Sequence, residues 1–465
     1  MIRIGTIIAK KTKDIAKSKI GVGFECLDRD MWKDSDSVYE AVAELGAKRA
    51  RVQTGWGRTE VDRGVYDFAW LDRIVDKLLE AGCEPWFNLG YGHQFYTDAE
   101  SIDACGWVPI YTEEARTAWQ NYIAALVRHF KNRVTYYEVW NEPFGAGFWR
   151  PNNPDPKEYA FLVKLTAEPI RREFPNAKII AGTYDINVWN APMIRDFLCG
   201  GAGDKIDVFS FHRYRLIPEQ NTPEWMDYFR NLIAKYGRPG IDLWQGEAGF
   251  PSQYSETQAL NRIPFTEISQ AKLLARSILT DLANGVDFTS YFTMSDFTCY
   301  RKVGFTSKPN FFGVVTADDP VRRKPSFYMM SRLCSLFDSE TTLDPEILTA
   351  LEAPQECAKE KKCEFEDPAI NPRIVSFKRK GYPLITWWRK LNVLNENEPI
   401  HTSVMYWSPD KPMPDPVLID PMDGAVYEIE SVVEKPDFRV KGLNLPFKDY
   451  PMIMTARAAV ADMIG

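Results

Sequence analysis

Two glutamates close two apolar runs of the sequence. VTYYEVWNE (134–142) ends on Asn141 and Glu142, and IDLWQGE (241–247) ends on Glu247. A pair of opposed carboxyl groups is what glycoside hydrolysis requires, because one protonates the leaving oxygen while the other attacks the anomeric carbon or activates a water molecule. This chemistry is open to the chain only if its fold brings the two side chains to one cleft.

Short apolar runs alternate with amphipathic helical stretches through about the first 335 residues. The runs are IGVGFE (20–25), KRARVQ (48–53), EPWFNLG (84–90), VTYYEVWNE (134–142), AKIIAGT (177–183), IDVFSFH (206–212), IDLWQGE (241–247) and VDFTSYFTM (286–294). Strands that are buried on both faces read as continuous apolar runs, and strand-helix alternation implies parallel, right-handed crossovers. Eight such units predict a (β/α)8 TIM barrel, with an open doubly wound sheet as the alternative.

Beyond about residue 340 the chain changes to short alternating runs separated by proline-rich and charged stretches. One of these, VLIDPMDGAVYEIE, has Asp-Gly at its centre, which is a strong hairpin signal. We expect residues 339–465 to form an accessory antiparallel β-sandwich beside a catalytic barrel of residues 20–338. We also expect the N-terminal segment, residues 1–19, to contribute a strand to the sandwich.

Composition and charge exclude several classes of protein. The net charge is −7, without a basic stripe, so nucleic acid is not expected as a partner. The apolar stretch at the N-terminus is too short for a signal peptide or a membrane span, which predicts a cytoplasmic protein without a membrane partner. The cysteines are scattered as reduced thiols would be, and the spacing of Cys357 and Cys363 does not suit a zinc site. The sequence leaves open whether the chain forms a homo-oligomer.

Other hydrolytic and nucleotide chemistries lack their motifs. The four histidines show neither HxH nor HExxH spacing, and the chain contains no GxxxxGK[ST] phosphate loop and no GxSxG elbow. We therefore expect no metal and no cofactor.

The barrel architecture explains how both glutamates could serve one reaction. Catalytic side chains in these barrels come from the C-terminal ends of the strands. The fourth and seventh runs are three strand-helix units apart, so Glu142 and Glu247 can face the same cleft. Pro143 disfavours the α region for the preceding residue, and we expect it to hold the backbone of Glu142 in an extended geometry.

At this point the residues carry a family resemblance. Asn-Glu-Pro at 141–143 and Glu247 resemble the pattern of clan A retaining glycoside hydrolases, which place their two glutamates on strands four and seven. The added β-domain, the HRY triplet at 212–214 and the chain length resemble family 39 of that clan, typified by β-xylosidases. The resemblance implies an exo-acting retaining hydrolase of short β-linked glycosides or oligosaccharides, with Glu247 as nucleophile and Glu142 as acid/base. An endo-acting clan A glycanase and a non-catalytic carbohydrate-binding protein are the alternatives.

The same resemblance suggests roles for the residues around the two glutamates. It places Arg51 near the nucleophile, where a cation would favour an ionised Glu247, although a structural ion pair lower in the barrel is the alternative. It implies that the side chains of His212 and Tyr214 point toward the catalytic carboxylates. The alternative is that the two residues are only a hydrogen-bonded polar pair at the end of a strand. Asn141 is expected to hydrogen-bond the 2-hydroxyl of the sugar, with an asparagine that only caps the loop as the alternative.

Aromatic and polar residues in the loops are candidates for contacts with the sugar. His93, after the third run, is predicted to bind a sugar hydroxyl, with ordinary loop structure as the alternative. Phe148 and Trp149, in the loop after the fourth run, are predicted to form a platform on which a sugar ring stacks. Trp56 and Tyr291 are further substrate-binding candidates, and Tyr291 lies in the eighth run where many clan A relatives have a tryptophan.

Overall fold

The computed structural model describes residues 1–103, 105–183, 191–256, 258–301, 307–352, 372–390, 393, 401–408, 410–433 and 440–465. Cys357 and Cys363 lie outside these described residues. Within these ranges, none of the helices combines the length and the apolar character that a membrane span requires.

Eight parallel strands close into a barrel, which confirms the predicted fold class. In chain order, the elements of this part of the structure are β1 (Arg3–Thr6), β2 (Ile20–Gly23), α1 (Asp36–Leu45), β3 (Arg49–Gln53), α2 (Trp56–Thr59), β4 (Glu60–Asp62), β5 (Val65–Tyr66), α3 (Ala69–Ala81), β6 (Glu84–Leu89), α4 (Glu113–Phe130), β7 (Tyr136–Val139), α5 (Pro156–Glu173), β8 (Lys178–Thr183), α6 (Ala191–Phe197), β9 (Val208–His212), α7 (Thr222–Tyr236), β10 (Asp242–Ala248), α8 (Glu267–Ala283), β11 (Phe288–Tyr291), β12 (Phe297–Tyr300), β13 (Lys308–Asn310) and α9 (Pro325–Leu336). The barrel runs β2-β3-β6-β7-β8-β9-β10-β11, and β11 pairs with β2 to close it.

The helices around the barrel begin and end at residues that the sequence marks. Thr112 and Thr266 cap α4 and α8 by accepting a hydrogen bond from a backbone N–H in the first turn, and Asp155 caps α5 in the same way. Gly82 ends α3 with a φ of 84°, a left-handed conformation that glycine adopts without steric cost. These local signals fix where each helix returns the chain to the next strand.

Apolar side chains fill the interior of the barrel at the N-terminal ends of the strands, whereas polar side chains occupy it at the C-terminal ends. An aromatic and aliphatic cluster fills the end where the strands begin, and its members are Trp86, Ile180, Val208, Trp244 and Phe288. Nearer the C-terminal ends of the strands, glycines leave room for larger neighbours. A Cβ atom at Gly23 would lie 2.2 Å from Oε2 of Glu25, for example. The barrel therefore has space for charged side chains directly beneath the cleft.

The C-terminal part of the chain forms two antiparallel sheets, as an accessory sandwich requires. Its strands are β14 (Thr341–Leu343), β15 (Thr349–Glu352), β16 (Arg373–Arg379), β17 (Tyr382–Trp388), β18 (His401–Trp407), β19 (Pro416–Ile419), β20 (Ala425–Glu428), β21 (Ser431–Val433), β22 (Val440–Phe447) and β23 (Met452–Ala456). One sheet has the order β1-β20-β19-β23-β17-β16-β14 and the other β15-β18-β22-β21. The N-terminal strand β1 thus pairs with β20. The division of the chain near residue 339 stays a prediction.

The close packing of β8 against β9 generates a prediction about stability. A Cβ atom at Gly182 would lie 1.6 Å from the carbonyl oxygen of Ser210, so the two strands would have to separate. We expect Gly182→Ala to lower the free energy of unfolding by roughly 3 kcal/mol or more, at the upper end of overpacking effects. Urea denaturation measures this loss.

Gly90→Ala is the control, because a Cβ atom there would meet nothing within 4 Å. It should cost less than about 1 kcal/mol. Equal stability of the two variants would contradict the packing described for β8 and β9.

Candidate active site

The site is built around the guanidinium of Arg51, a side chain of β3 that is fully buried. Its Nη1 donates to Oε2 of Glu247 at 2.6 Å, and its Nη2 donates to Oδ1 of Asn141 at 2.9 Å. The hydroxyl of Tyr214 donates to Oε1 of Glu247 at 2.6 Å. Each carboxylate oxygen of Glu247 therefore has its own donor, and such charge-assisted bonds fix the orientation of the group.

Glu142 faces Glu247 across the ring of His212. The Nδ1 atom of His212 lies 3.0 Å from Oε1 of Glu142 and 3.7 Å from Oε2 of Glu247. An oxygen of Glu142 and an oxygen of Glu247 lie within 4.8 Å of each other. Retaining glycosidases hold their two carboxyl groups about 5–5.5 Å apart, whereas inverting enzymes leave about 6.5–9.5 Å for a water molecule. The spacing favours direct attack by a carboxylate.

A sharp turn after β7 presents Asn141 and Glu142 to the cleft. The strand ends at Val139, and both Trp140 and Glu142 have positive φ angles, of 67° and 45°. The expectation that Pro143 holds Glu142 in an extended geometry is therefore wrong. A left-handed backbone also avoids the α region that a following proline disfavours. Non-glycine residues with such angles are uncommon and are concentrated at functional sites.

Two further buried carboxyl groups contact Arg51, and the sequence interpretation missed both. Glu138 accepts from Nε of Arg51 at 2.7 Å and from Nη2 at 3.0 Å. Oε1 of Glu25 lies 3.5 Å from Nη1, and its Oε2 accepts from the hydroxyl of Thr293 at 3.2 Å. The sequence did contain a signal for Glu138, because this glutamate lies inside an apolar run. A charge that is buried in this way needs an oppositely charged partner.

Glu247 and Glu25 both lie beside the guanidinium of Arg51, and their pKa values move apart. Burial opposes the ionisation of Glu247, but the charges of His212 and Arg51 and the hydrogen bond from Tyr214 outweigh burial and lower the pKa of Glu247. Burial raises the pKa of Glu25 to about 8, despite the nearby Arg51 and with a further contribution from the charge of Glu247. Burial favours the neutral ring of His212, yet its carboxylate neighbours outweigh this and raise its pKa. At neutral pH the site holds an anionic Glu247 and a protonated Glu25.

Glu142, His212 and Glu247 are also the residues that could hold a metal ion, among those the structure describes. Their ligand atoms, one nitrogen and two oxygens, are of the types that zinc binds. The guanidinium of Arg51, however, already lies 2.6 Å from the Glu247 oxygen that faces His212. A positive charge at that position disfavours a cation and favours an ionised carboxylate.

Trp56 and His93 are buried and held by internal contacts, and their role in binding substrate stays a prediction. Trp56 is fully buried, stacks on Tyr96 and donates its Nε1–H to Glu60 at 2.6 Å. The Nδ1 of His93 accepts from the N–H of Phe95 at 3.0 Å, and its Nε2 bonds the carbonyl oxygen of Glu60 at 3.0 Å. Both ring nitrogens of His93 are occupied, so the alternative of ordinary loop structure fits.

Trp149 and Tyr291 also lie beneath the surface. Trp149 is buried and donates its Nε1–H to a neighbouring carboxylate at 3.1 Å. The hydroxyl of Tyr291 donates to the carbonyl oxygen of Phe250 at 3.2 Å. Both side chains are thus held by internal hydrogen bonds, and their contact with a sugar stays a prediction. Phe148 is half-buried beside Tyr91, with ring centroids 6.0 Å apart, and stays a candidate platform.

Comparison with known proteins decides the family. The model of glycosyl hydrolases family 39 matches residues 52–347, which is more than half of the chain. The chain belongs to glycosyl hydrolases family 39. The match begins at residue 52, so the family model does not cover Glu25 and Arg51.

Individual relatives are more distant. The chain is 26% identical to a β-xylosidase of Geobacillus stearothermophilus over 309 residues, which cover 61% of this chain and 59% of that protein. It is 28% identical to a β-xylosidase of Caldicellulosiruptor saccharolyticus over 186 residues, 37% of each chain. The alignments thus span less than two thirds of either relative.

Its fold is similar to that of a family 39 glycoside hydrolase from Bacteroides cellulosilyticus WH2. The TM-score is 0.65 at 20% sequence identity, over 94% of this chain and 80% of that chain. This likeness extends over both the barrel and the sheets of the family 39 chain.

The raised pKa of Glu25 predicts how the stability of the protein depends on pH. A glutamate of the unfolded chain ionises near pH 4.5, whereas Glu25 keeps its proton to about pH 8 in the folded protein. Between these values the folded state binds more protons, so stability falls as pH rises. Relative to Glu25→Gln, the wild type should lose a few kcal/mol between pH 5 and pH 8, at most about 1.4 kcal/mol per pH unit.

Urea denaturation of both proteins at pH 5, 6.5 and 8 measures this difference. Parallel pH profiles of the wild type and Glu25→Gln would show that Glu25 does not hold the proton.

Proposed function

We propose that this protein is a retaining glycoside hydrolase that releases xylose from the non-reducing end of short β-linked xylosides. The observation that carries the proposal is the pair of carboxyl groups, Glu142 and Glu247, whose oxygens lie within 4.8 Å. The bonds from Arg51 and Tyr214 to Glu247 support its role as an ionised nucleophile. The relatives named β-xylosidases suggest the substrate class. A cytoplasmic location stays a prediction from the sequence.

In the first step, a carboxylate oxygen of Glu247 attacks the anomeric carbon while Glu142 gives its proton to the departing glycosidic oxygen. The bond from carbon to that oxygen breaks, and a glycosyl-enzyme ester forms on Glu247. In the second step, Glu142 takes a proton from a water molecule, which attacks the same carbon and releases Glu247. Two inversions give a product with retained configuration.

Asn141 is oriented for a different contact with the sugar. Its Oδ1 accepts from Arg51 at 2.9 Å, and this bond fixes which end of the amide faces the guanidinium. The amide nitrogen is left to donate to the 2-hydroxyl, a bond that strengthens as the transition state develops. Arg51 therefore serves both the nucleophile and the residue that we expect to bind the sugar.

Two long loops support a pocket closed at one end, and thus exo action. The loop between β6 and α4 and the loop between β7 and α5 join through a backbone bridge between Trp107 and Arg150. Arg150 donates its N–H to the carbonyl of Gly106 at 2.6 Å, and Val108 donates its N–H to the carbonyl of Arg150 at 3.2 Å. We infer that this joined wall blocks one end of the cleft.

The two glutamates should differ when each is replaced by alanine. General acid catalysis contributes about 10²–10⁴ in rate, so Glu142→Ala should lose roughly 3–5 kcal/mol of transition-state stabilisation on a sugar leaving group. On dinitrophenyl β-xyloside, which needs no acid, its first turnover should stay fast and the following steady state should be slow. Glu247→Ala should stay slow on every leaving group. Stopped-flow release of dinitrophenol measures both.

Added azide distinguishes the two positions further. With Glu142→Ala it should speed the second step and give a glycosyl azide of retained configuration, because azide needs no base. With Glu247→Ala it should enter the vacated space and give the inverted product. Identical behaviour of the two variants would refute this assignment, and a wild type inactive on a panel of nitrophenyl glycosides would favour a non-catalytic carbohydrate-binding protein.

The products formed from xylo-oligosaccharides test exo against endo action. A pocket blocked at one end should give xylose from the first time point, with the substrate shortened by one unit at a time. Chromatography of early samples from xylohexaose measures this. An early ladder of middle-sized fragments would favour the alternative of an endo-acting glycanase.

A further inference from the structure

The loop that carries Tyr214 connects the nucleophile to a distant anchor. It runs from β9 to α7, beginning beside Glu247, where Arg213 donates its backbone N–H to the carbonyl of Glu247 at 3.1 Å. The side chain of Arg213 reaches across the loop to the carbonyl oxygen of Gln220 and the hydroxyl of Thr222. These bonds tie the two ends of the loop together. We therefore expect a movement of its far end to displace Tyr214.

Glu219 holds that far end in place. Its side chain is buried and forms a bidentate pair with Arg276 of α8, with both N···O distances at 2.8 Å. Burial opposes its charge, but Arg276 outweighs burial and lowers the pKa of Glu219. The indole N–H of Trp388 donates to Oε1 of Glu219 at 2.6 Å. Trp388 is the last residue of β17. A strand of the sandwich therefore contacts the loop that carries Tyr214.

A second buried contact joins the same two parts of the protein without touching this loop. Lys272, one turn before Arg276 on α8, donates to Oδ2 of Asp449 at 2.8 Å, and both side chains are buried. Arg276 also donates to the backbone carbonyl of Asp449 at 3.4 Å, a bond that does not involve the side chain of Lys272. Loss of the ion pair would loosen the barrel from the sandwich but would leave Glu219 with both of its partners. It therefore provides a matched control for the bond between Trp388 and Glu219.

We propose that Trp388 and Glu219 are positioning residues, through which the sandwich aims the hydroxyl of Tyr214 at Glu247. The inference rests on the proposed function, because it assigns a part in the reaction to the sandwich, none of whose described residues is hydrogen-bonded to Glu247 or Glu142. The sandwich is then part of the active-site scaffold rather than a separate binding module. Weakening its bond to Glu219 lets Tyr214 move away from the nucleophile.

The direction of the expected pH effect follows from the bond that is weakened. Tyr214 donates to Glu247 and so helps to lower the pKa of Glu247. A longer bond lets that pKa rise, which moves the acid limb of the profile of kcat/KM to higher pH. The charged and titratable groups that face Glu247 from the neighbouring elements are Arg51, His212, Tyr214, Tyr300, Glu25 and Glu142. A change at Trp388 replaces none of these groups, so the shift reports the changed position of Tyr214.

The test is Trp388→Phe in the full chain, which removes the indole N–H and keeps an aromatic ring. On nitrophenyl β-xyloside we expect a loss of roughly tenfold in kcat/KM, since a small misplacement near the reacting groups is costly. The acid limb should rise by about half a pH unit, the response to a weakened hydrogen bond to a charged group. Lys272→Met should lower the melting temperature without moving the acid limb. Equal shifts in both variants, or none in Trp388→Phe, would overturn the proposal.

A double-mutant cycle supplies a readout that general destabilisation would not produce. If Trp388 acts through Tyr214, then Trp388→Phe should cost no further activity in a Tyr214→Phe background. Additive losses would overturn the proposal. Hydrogen exchange separates this inference from the proposed function, because it needs no substrate. Amides of residues 213–221 should exchange faster in Trp388→Phe and not in Lys272→Met, even if the wild type proves inactive on xylosides.

Discussion

The buried guanidinium of Arg51 is the interaction on which the rest of this site depends. Its donors reach Glu138, Glu247 and Asn141, and the carboxyl group of Glu25 lies beside it. A cation without water around it must have anionic partners, and several buried carboxylates must share a cation. The glycines of the barrel interior leave the volume that this cluster fills. Electrostatics and packing thus impose one arrangement on residues of β3, β7 and β10 and on Glu25, which follows β2.

The cluster has a direct consequence for catalysis. With Arg51 and Tyr214 bonded to its two oxygens, Glu247 is held ionised and oriented before any substrate arrives. Preorganised donors of this kind need no rearrangement as charge moves during the reaction. Glu25 keeps a proton to about pH 8, so at neutral pH it adds no further negative charge to the cluster. The protonation states of neighbouring carboxyl groups are set by burial and by which of them reaches the guanidinium.

The sequence predicted those features that depend on the pattern of strands. The eight apolar runs located the barrel strands, and the ends of the fourth and seventh runs located Glu142 and Glu247. Loop residues were predicted less well, because loops lack a period that shows which side chains face inward. His93, in the loop after β6, and Trp56, at the start of the short helix α2, are both buried in packing that the sequence did not reveal. Glu25 was missed because its pairing with Arg51 depends on how β2 and β3 align, which the pattern of either run does not specify.

The central claim, that Glu247 forms the covalent bond to the sugar, can be tested by trapping the intermediate. A 2-deoxy-2-fluoro-β-xylosyl fluoride or dinitrophenyl glycoside slows hydrolysis of the ester more than its formation. Mass spectrometry of the intact chain and of its peptides would then locate the label. The account predicts one fluoroxylosyl group per chain, attached to the peptide that contains Glu247. A label on Glu142 or Glu25, or turnover without any labelled chain, would contradict it.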